Sequence, residues 1–345
     1  MKKIRRNDPN YRLWKKRNDE KKLKNRLSKG HTFGIHKEKA LRLLQEFRMS
    51  TNFSIRQNPE ETIAIFNDIL HKINRINTVH TEKTKFVVIL NMQDVKNITE
   101  DALMYLVTIV RNGRLRAKKK TILWKVVLPI DENSKAYLQK SGFVNYFEQN
   151  SNIDLIPSDE NFQITTGKKV ETQTMKALCD FLRDKYDNLM ASRILYKMMT
   201  ELMSNTTQHA YTGANIMFFH SWYVFAENTE NEIRVTFIDN GLGIPRTVNK
   251  KHTEMMKKLF GFNEEYKLVL SALKGEFRSE TKSSNRGKGL PEIYEPSLSG
   301  YIEDLTVISN NAFFSDKEAR DMKQCLEGTL FYWRIVKRKE ILNDN

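Results

Sequence analysis

Residues 232–245 read EIRVTFIDNGLGIP, and the rest of the chain is best read outward from them. Apolar side chains alternate from Ile233 to Ile238, the period-two pattern of a strand. The strand is predicted to end at Asp239, where a carboxylate can accept a hydrogen bond from an amino group. Gly241 and Gly243 follow, letting the backbone turn and approach a flat ligand closely. A glycine-rich turn alone also fits a hairpin or a plain loop, so its neighbours decide.

Downstream, SSNRGKGLPEIYE (283–295) offers Gly287 and Gly289 between Arg286, Lys288 and Leu290, ahead of a short helical segment. Amides of such a turn at a helix N-terminus, with cations beside them, suit a triphosphate. Lys282, Arg286 and Lys288 read equally well as solvated loop cations. Residues 246–285, rich in Lys and Met and helical at HTEMMKKLF and EEYKLVLSALKG, have the length of a lid. LEGTLFYWRIV (326–336) then puts Gly328 and Thr329 at the start of a final strand.

Upstream, ASRILYKMMTELMSNTTQHAY (191–211) is predicted as a helix. Its Glu201, Asn205 and His209 recur at i, i+4 and i+8, drifting about 40° per step, so they form one stripe. Ile194, Leu195, Met198 and Leu202 anchor that stripe. A carboxylate, an amide and an imidazole at the edge of an apolar face form a site pattern, although helix faces also carry Glu and Asn for solubility. His209 reads both as a phosphate contact and as a cation favoured at a helix C-terminus.

The first half alternates. PEETIAIFNDILHKINRI (59–76) is helical with Pro59 in its first turn, and KFVVIL (85–90) is a strand. TEDALMYLVTIVRNG (99–113) is a helix with Thr99 as N-cap and Gly113 at its end. TILWKVVLP (121–129) is a strand, and DENSKAYLQKSG (131–142) a helix ending at Gly142, before FVNYF. This order implies an α/β layer architecture with crossover connections. Residues 151–175 are polar with no strong period and mark a boundary. The chain thus divides into a basic leader (1–50), a first domain (51–155), a linker (156–175), a second domain (176–338) and a tail (339–345).

The length of 345 residues suits two domains, and 39% hydrophobic with 29% charged residues is ordinary for a globular chain. No apolar run approaches the roughly 18–20 residues that span a bilayer, and no apolar stretch follows the basic N-terminus, so no membrane association and a cytoplasmic location are expected. Cys179 and Cys325 lack metal-ligand spacing and are read as two buried free thiols. Residues 1–48 hold 17 Lys and Arg against five Asp and Glu, which is +12 of the net +16. With Tyr11, Trp14 and Phe33 interleaved, this leader can follow a nucleic-acid backbone; it reads also as a solvated tail or a partner-docking arm.

Taken in order, the four boxes of residues 176–338 resemble the GHKL ATPases: gyrase-type topoisomerases, the ninety-kilodalton heat-shock chaperone, histidine kinases and MutL-type repair proteins. Glu201, Asn205, His209, Ala210 and Tyr211 are especially similar to the anti-sigma-factor serine kinases. The resemblance implies a Bergerat-fold α/β sandwich with helices on one face of a mixed sheet, binding ATP and Mg²⁺. It assigns Asn205 to the Mg²⁺, Asp239 to the adenine amino group and Thr329 to a supporting contact. Gly241, Gly243 and Ile244 would shape the adenine pocket, and Arg286, Gly287, Lys288, Gly289 and Leu290, with His209, the phosphate side. Glu201 would be the general base. The second glycine box departs from the histidine kinases, which often have three glycines there.

Residues 60–150 resemble STAS domains, the fold of the anti-sigma-factor antagonists. Asp101 stands where those proteins carry a phosphorylated hydroxyl residue, as a permanent charge mimic or simply as one of two acids, with Glu100, favoured in a first helical turn. No transducer domain and no helix pair with a phosphorylatable His are read from the sequence, which disfavours the topoisomerase, MutL, chaperone and histidine-kinase roles. The resemblance therefore implies an ATP-dependent serine/threonine protein kinase or slow ATPase with a protein partner or substrate, and allows a homodimer. The alternatives are a nucleotide-gated binding module with little turnover and a nucleic-acid-associated switch acting through residues 1–48.

Overall fold

A computed structural model describes residues 42–79, 85–116, 122–141, 143–148, 161–209, 221–248, 264–277 and 289–337. All of these except Arg42 belong to one compact unit, Leu43–Asn345. The basic leader up to residue 41, Gly142, and residues 249–263 and 278–288 of the expected lid lie outside the described residues.

The first half is built on a three-stranded sheet ordered β1 (Arg42–Arg48), β3 (Lys85–Asn91), β5 (Ile122–Val127), with a two-residue parallel pair, β2 (Asn52–Phe53) and β4 (Asn97–Ile98), beside it. Strands β3 and β5 run parallel, as a crossover through a helix requires. That helix is α2 (Glu100–Arg116); α1 (Pro59–Val79), α3 (Glu132–Lys140) and α4 (Phe143–Glu148) complete this half. Asp131 caps α3 by accepting the Ser134 N–H at 2.8 Å. Gly113, expected to end α2, lies inside it: a Cβ there would sit 3.1 Å from the Trp124 ring, so the missing side chain serves close packing.

The second half is a five-stranded sheet ordered β6 (Asn161–Gly167), β7 (Trp222–Asn228), β8 (Glu232–Asp239), β10 (Ala319–Val336), β9 (Glu303–Ser315). Four helices, α5 (Thr172–Lys185), α6 (Leu189–His209), α7 (Glu265–Leu273) and α8 (Gly289–Leu298), accompany it. Every pairing in this sheet is antiparallel, where a mixed sheet was expected. Strand β6 occupies residues assigned to the linker, and β10 begins well before Gly328, which lies inside it at a register shift.

Both faces of this sheet are covered. Trp222, Val224, Phe237, Phe331 and Trp333 join α5, α6, α7 and α8 in one core. The alternate residues Tyr223, Phe225, Ile238, Ile308, Leu330 and Tyr332 join the first half in another, together with Phe66, Tyr105 and Phe143. Antiparallel sheets commonly leave one face to water. Here the helices of the first half take that place.

The join is polar where α2 begins. Glu100 and Asp101 are 2% and 0% exposed, and Arg56 sits between them. Its Nη2 donates to Glu100 Oε1 at 2.7 Å, its backbone N–H to Asp101 Oδ2 at 2.8 Å, and its guanidinium lies 3.3 Å from the centre of the Tyr332 ring on β10. The Thr99 hydroxyl also donates to Asp101. Asp101 is therefore a buried structural acceptor with no exposed surface. Farther along, register shifts on β10 strip backbone groups of their strand partners, and Glu60 of α1 accepts the N–H groups of Lys323 and Gln324 at 3.0 and 3.1 Å.

Candidate functional site

Asp239 ends β8 and lies opposite Thr329 of β10, which in turn lies opposite Ser309 of β9. Side chains alternate along a strand, so these three face the layer of α5 to α8, like Phe237, Phe331 and Val307 beside them. Asp239 Oδ1 accepts the Gly241 N–H at 2.8 Å, and its carboxylate also takes the Thr329 hydroxyl. Burial pushes the carboxyl up to about 6, against the lowering effect of those two donors. Gly328 has φ 97°, a left-handed conformation that favours glycine, and any Cβ there would collide with the Asp239 carbonyl.

The loop after β8 is braced from β9 by two residues the sequence reading passed over. Ser309 Oγ accepts the Ile244 N–H at 2.8 Å and stands 3.1 Å from Thr329 Oγ1. Asn310, itself at φ 53°, donates from Nδ2 to the Leu242 carbonyl at 3.0 Å, and its side chain fills the space a Cβ on Gly243 would take. The only trace of this brace in the sequence is the polar pair Ser309 and Asn310 interrupting an apolar strand, TVISNNAFF. Replacing Ser309 with Ala leaves the buried Ile244 N–H without its acceptor and is expected to cost about 1–3 kcal/mol. Urea unfolding of Ser309→Ala measures it; an unchanged midpoint would contradict the brace.

Glu201 and Asn205 lie on α6 as the stripe predicts, with the first residue of α8 directly against them. A Cβ on Gly289 would come within 3.0 Å of Asn205 Nδ2 and 3.1 Å of Glu201 Oε2, so only glycine permits this approach without displacing them. Burial raises the Glu201 carboxyl, the Glu292 charge raises it further and Lys197 opposes. Asn205 Nδ2 is buried without a hydrogen-bond partner. Ile244 of the braced loop and Leu290 of α8 pack on one small cluster with Val248, Leu268 and Ala272, which ties the sheet-end group to the helix group.

Of the residues singled out from sequence, Glu201, Asn205, Asp239, Gly241, Gly243, Ile244, Gly289, Leu290 and Thr329 are thus placed in these two linked groups. His209 ends α6, with its side chain outside the described residues, as are Lys282, Arg286, Gly287 and Lys288. Cys179 is buried and Cys325 half-buried, both free. Among the described residues no group of three or more His, Cys, Asp or Glu could hold a metal, and no helix is long and apolar enough to cross a membrane.

The residues present fit a Mg-nucleotide. Asp239 is a buried carboxylate that has only neutral donors among the described residues, Asn205 keeps a buried polar atom unspent, and Gly289 leaves a close approach beside both helix residues. A scan against models of protein families and a search of the curated proteins find no match to this chain.

Proposed function

We propose that the second half of the chain binds Mg-ATP and that Glu201 promotes transfer of the terminal phosphoryl group to a protein hydroxyl or to water. This is the GHKL reading, closest to the anti-sigma serine kinases. The observation that carries it is Asp239: a carboxylate so buried, with no cation beside it among the described residues, is stabilised by one more donor, and the amino group of adenine supplies one. Asn205 would hold the Mg²⁺, whose charge would offset that of the phosphates. Glu201, raised above the usual carboxylate range, is suited to accept the proton of the attacking hydroxyl. Gly289 brings the positive end of α8 to the same place.

A second reading, a nucleotide-gated binding module, is favoured by one contact. The Tyr105 hydroxyl of α2 donates to the Glu327 carbonyl at 2.9 Å, next to Gly328 and Thr329, so the base end of the site touches the first half directly. The STAS-like first half and the basic leader would then supply partner surfaces, the leader extending to nucleic acid.

Incubation of the purified chain with γ-labelled Mg-ATP, alone and with host lysate, beside Glu201→Ala, tests these readings. Label on a lysate protein, lost in the variant, is the expected result and identifies a kinase. Free phosphate alone identifies an ATPase. Tight binding with intact ATP favours the gated module, and no binding at all overturns the proposal.

A further inference from the structure

Lys197 and Glu292 were singled out by no sequence motif, yet they flank Glu201 from two helices. Lys197 precedes Glu201 by one turn of α6, and Glu292 lies in the first turn of α8, three residues after the glycine that touches Glu201. Lys197 Nζ is 3.4 Å from Glu292 Oε1. Met198 and Met199 of α6 and Ile293 of α8 are buried in one core directly beneath, so the two helices hold this pair in place. Lys197 is 57% exposed along its side chain and Glu292 17%. An ion pair so open to water contributes little to stability, so its position beside Glu201 is the more informative property.

Among the described residues, Lys197 and Glu292 are the charged groups that bear on Glu201; Asn205 and Gly289, its other neighbours, are neutral. Their effects oppose one another. The Glu292 carboxylate disfavours a second negative charge nearby and strengthens Glu201 as a base, whereas the Lys197 ammonium favours that charge and weakens it.

We infer that Lys197 and Glu292 are positioning residues for Glu201, a paired weight and counterweight that set the proton affinity of its carboxylate from two helices. This rests on the reading of Glu201 as the general base. The pairing also gives Lys197 an alternative partner: when an anion occupies the site, the ammonium can turn from Glu292 toward it, leaving Glu201 facing Glu292 with less compensation. Base strength would then rise when substrate is bound.

The test uses Glu292→Gln and Lys197→Met in the full chain. Each removes the same ion pair, so a merely structural clip would be damaged alike by both. The Glu201 carboxyl is titrated by carbon-13 NMR, its signal identified by its loss in Glu201→Gln, and Mg-ATP binding and the pH profile of turnover are measured in parallel. The expected result is a shift in opposite directions: the Glu201 midpoint falls in Glu292→Gln and rises in Lys197→Met, by about half to one pH unit each. The acid limb of turnover should move with it, while affinity for Mg-ATP changes less than about threefold. Midpoints that move the same way, or that do not move, overturn the inference even if ATP binds. Failure of the wild-type chain to bind ATP overturns the functional reading instead, and the NMR midpoints still decide the role of the pair.

Discussion

Asp239→Asn should bind Mg-ATP about 30- to 150-fold more weakly than the wild-type chain while resisting denaturation better. The carboxylate keeps its bond to the Gly241 N–H in either form, because an amide oxygen accepts as well. What is lost is the charge on the acceptor that faces the ligand, worth roughly 2–3 kcal/mol for a bond to an ionised group. Stability moves the other way. A folded-state value of about 6, against an ordinary 3.8, means that the folded chain holds the proton more tightly than the unfolded one. Stability of the free protein therefore falls as pH rises from about 4 through 6, by roughly 3 kcal/mol in all, and Asn removes that loss. Urea unfolding at pH 8 and at pH 4, with nucleotide titration at pH 8, checks both arms. The advantage of the variant should be large at pH 8 and small at pH 4. Wild-type affinity for ATP should itself drop about tenfold between pH 7 and pH 5, as the acceptor is protonated. Equal affinity in the variant would remove Asp239 from the ligand's surroundings altogether.

Arg56→Met should destabilise the chain by about 3–5 kcal/mol near pH 8, because it leaves Glu100 and Asp101 buried side by side without their cation. The stacking on Tyr332 is lost with the guanidinium. Burial already pushes Glu100 up to about 7, with Arg56 pulling down and Asp101 pushing up. A raised carboxylate contributes least when ionised, so the variant should recover part of the deficit as pH falls below 7 and Glu100 takes up a proton. Thermal unfolding at pH 8 and pH 5.5 measures the difference. A variant as stable as the wild type at both would show that the join between the halves does not depend on this charge cluster.

The α6 stripe and strand β8 were legible because each follows from a short-range period: 3.6 for Glu201 and Asn205, two for Ile233 to Asp239. The glycine turns were legible because few other residues permit such backbone geometry or such contact. The Lys197–Glu292 pair was not, because it joins helices some 90 residues apart and neither residue breaks a pattern. Ser309 and Asn310 act through strand register, which a single sequence does not disclose. The misjudged end of α2 has a similar cause. Gly113 carries the local signature of a helix stop, but the partner that explains it, Trp124, sits on the next strand. Strand β6 was masked by polar residues at the sheet edge, where half the backbone faces no partner strand. The expectation of helices on one face missed the other cover for the same reason: an apolar residue in β10 looks alike whether its neighbour is α6 or α1.

That second cover changes what a boundary means in this chain. Cutting within residues 149–160 would appear from sequence to release an intact nucleotide-binding module. The fragment would instead present Tyr223, Phe225, Ile238, Ile308, Leu330 and Tyr332 to solvent as one greasy wall, and the bulge of β10 would lose the Glu60 carboxylate that receives its backbone amides. An insertion or deletion in the first half is thus felt at the floor of the second. The unit on which selection acts is the pair of halves, and a homologue that lost one would have to repaint the other's surface.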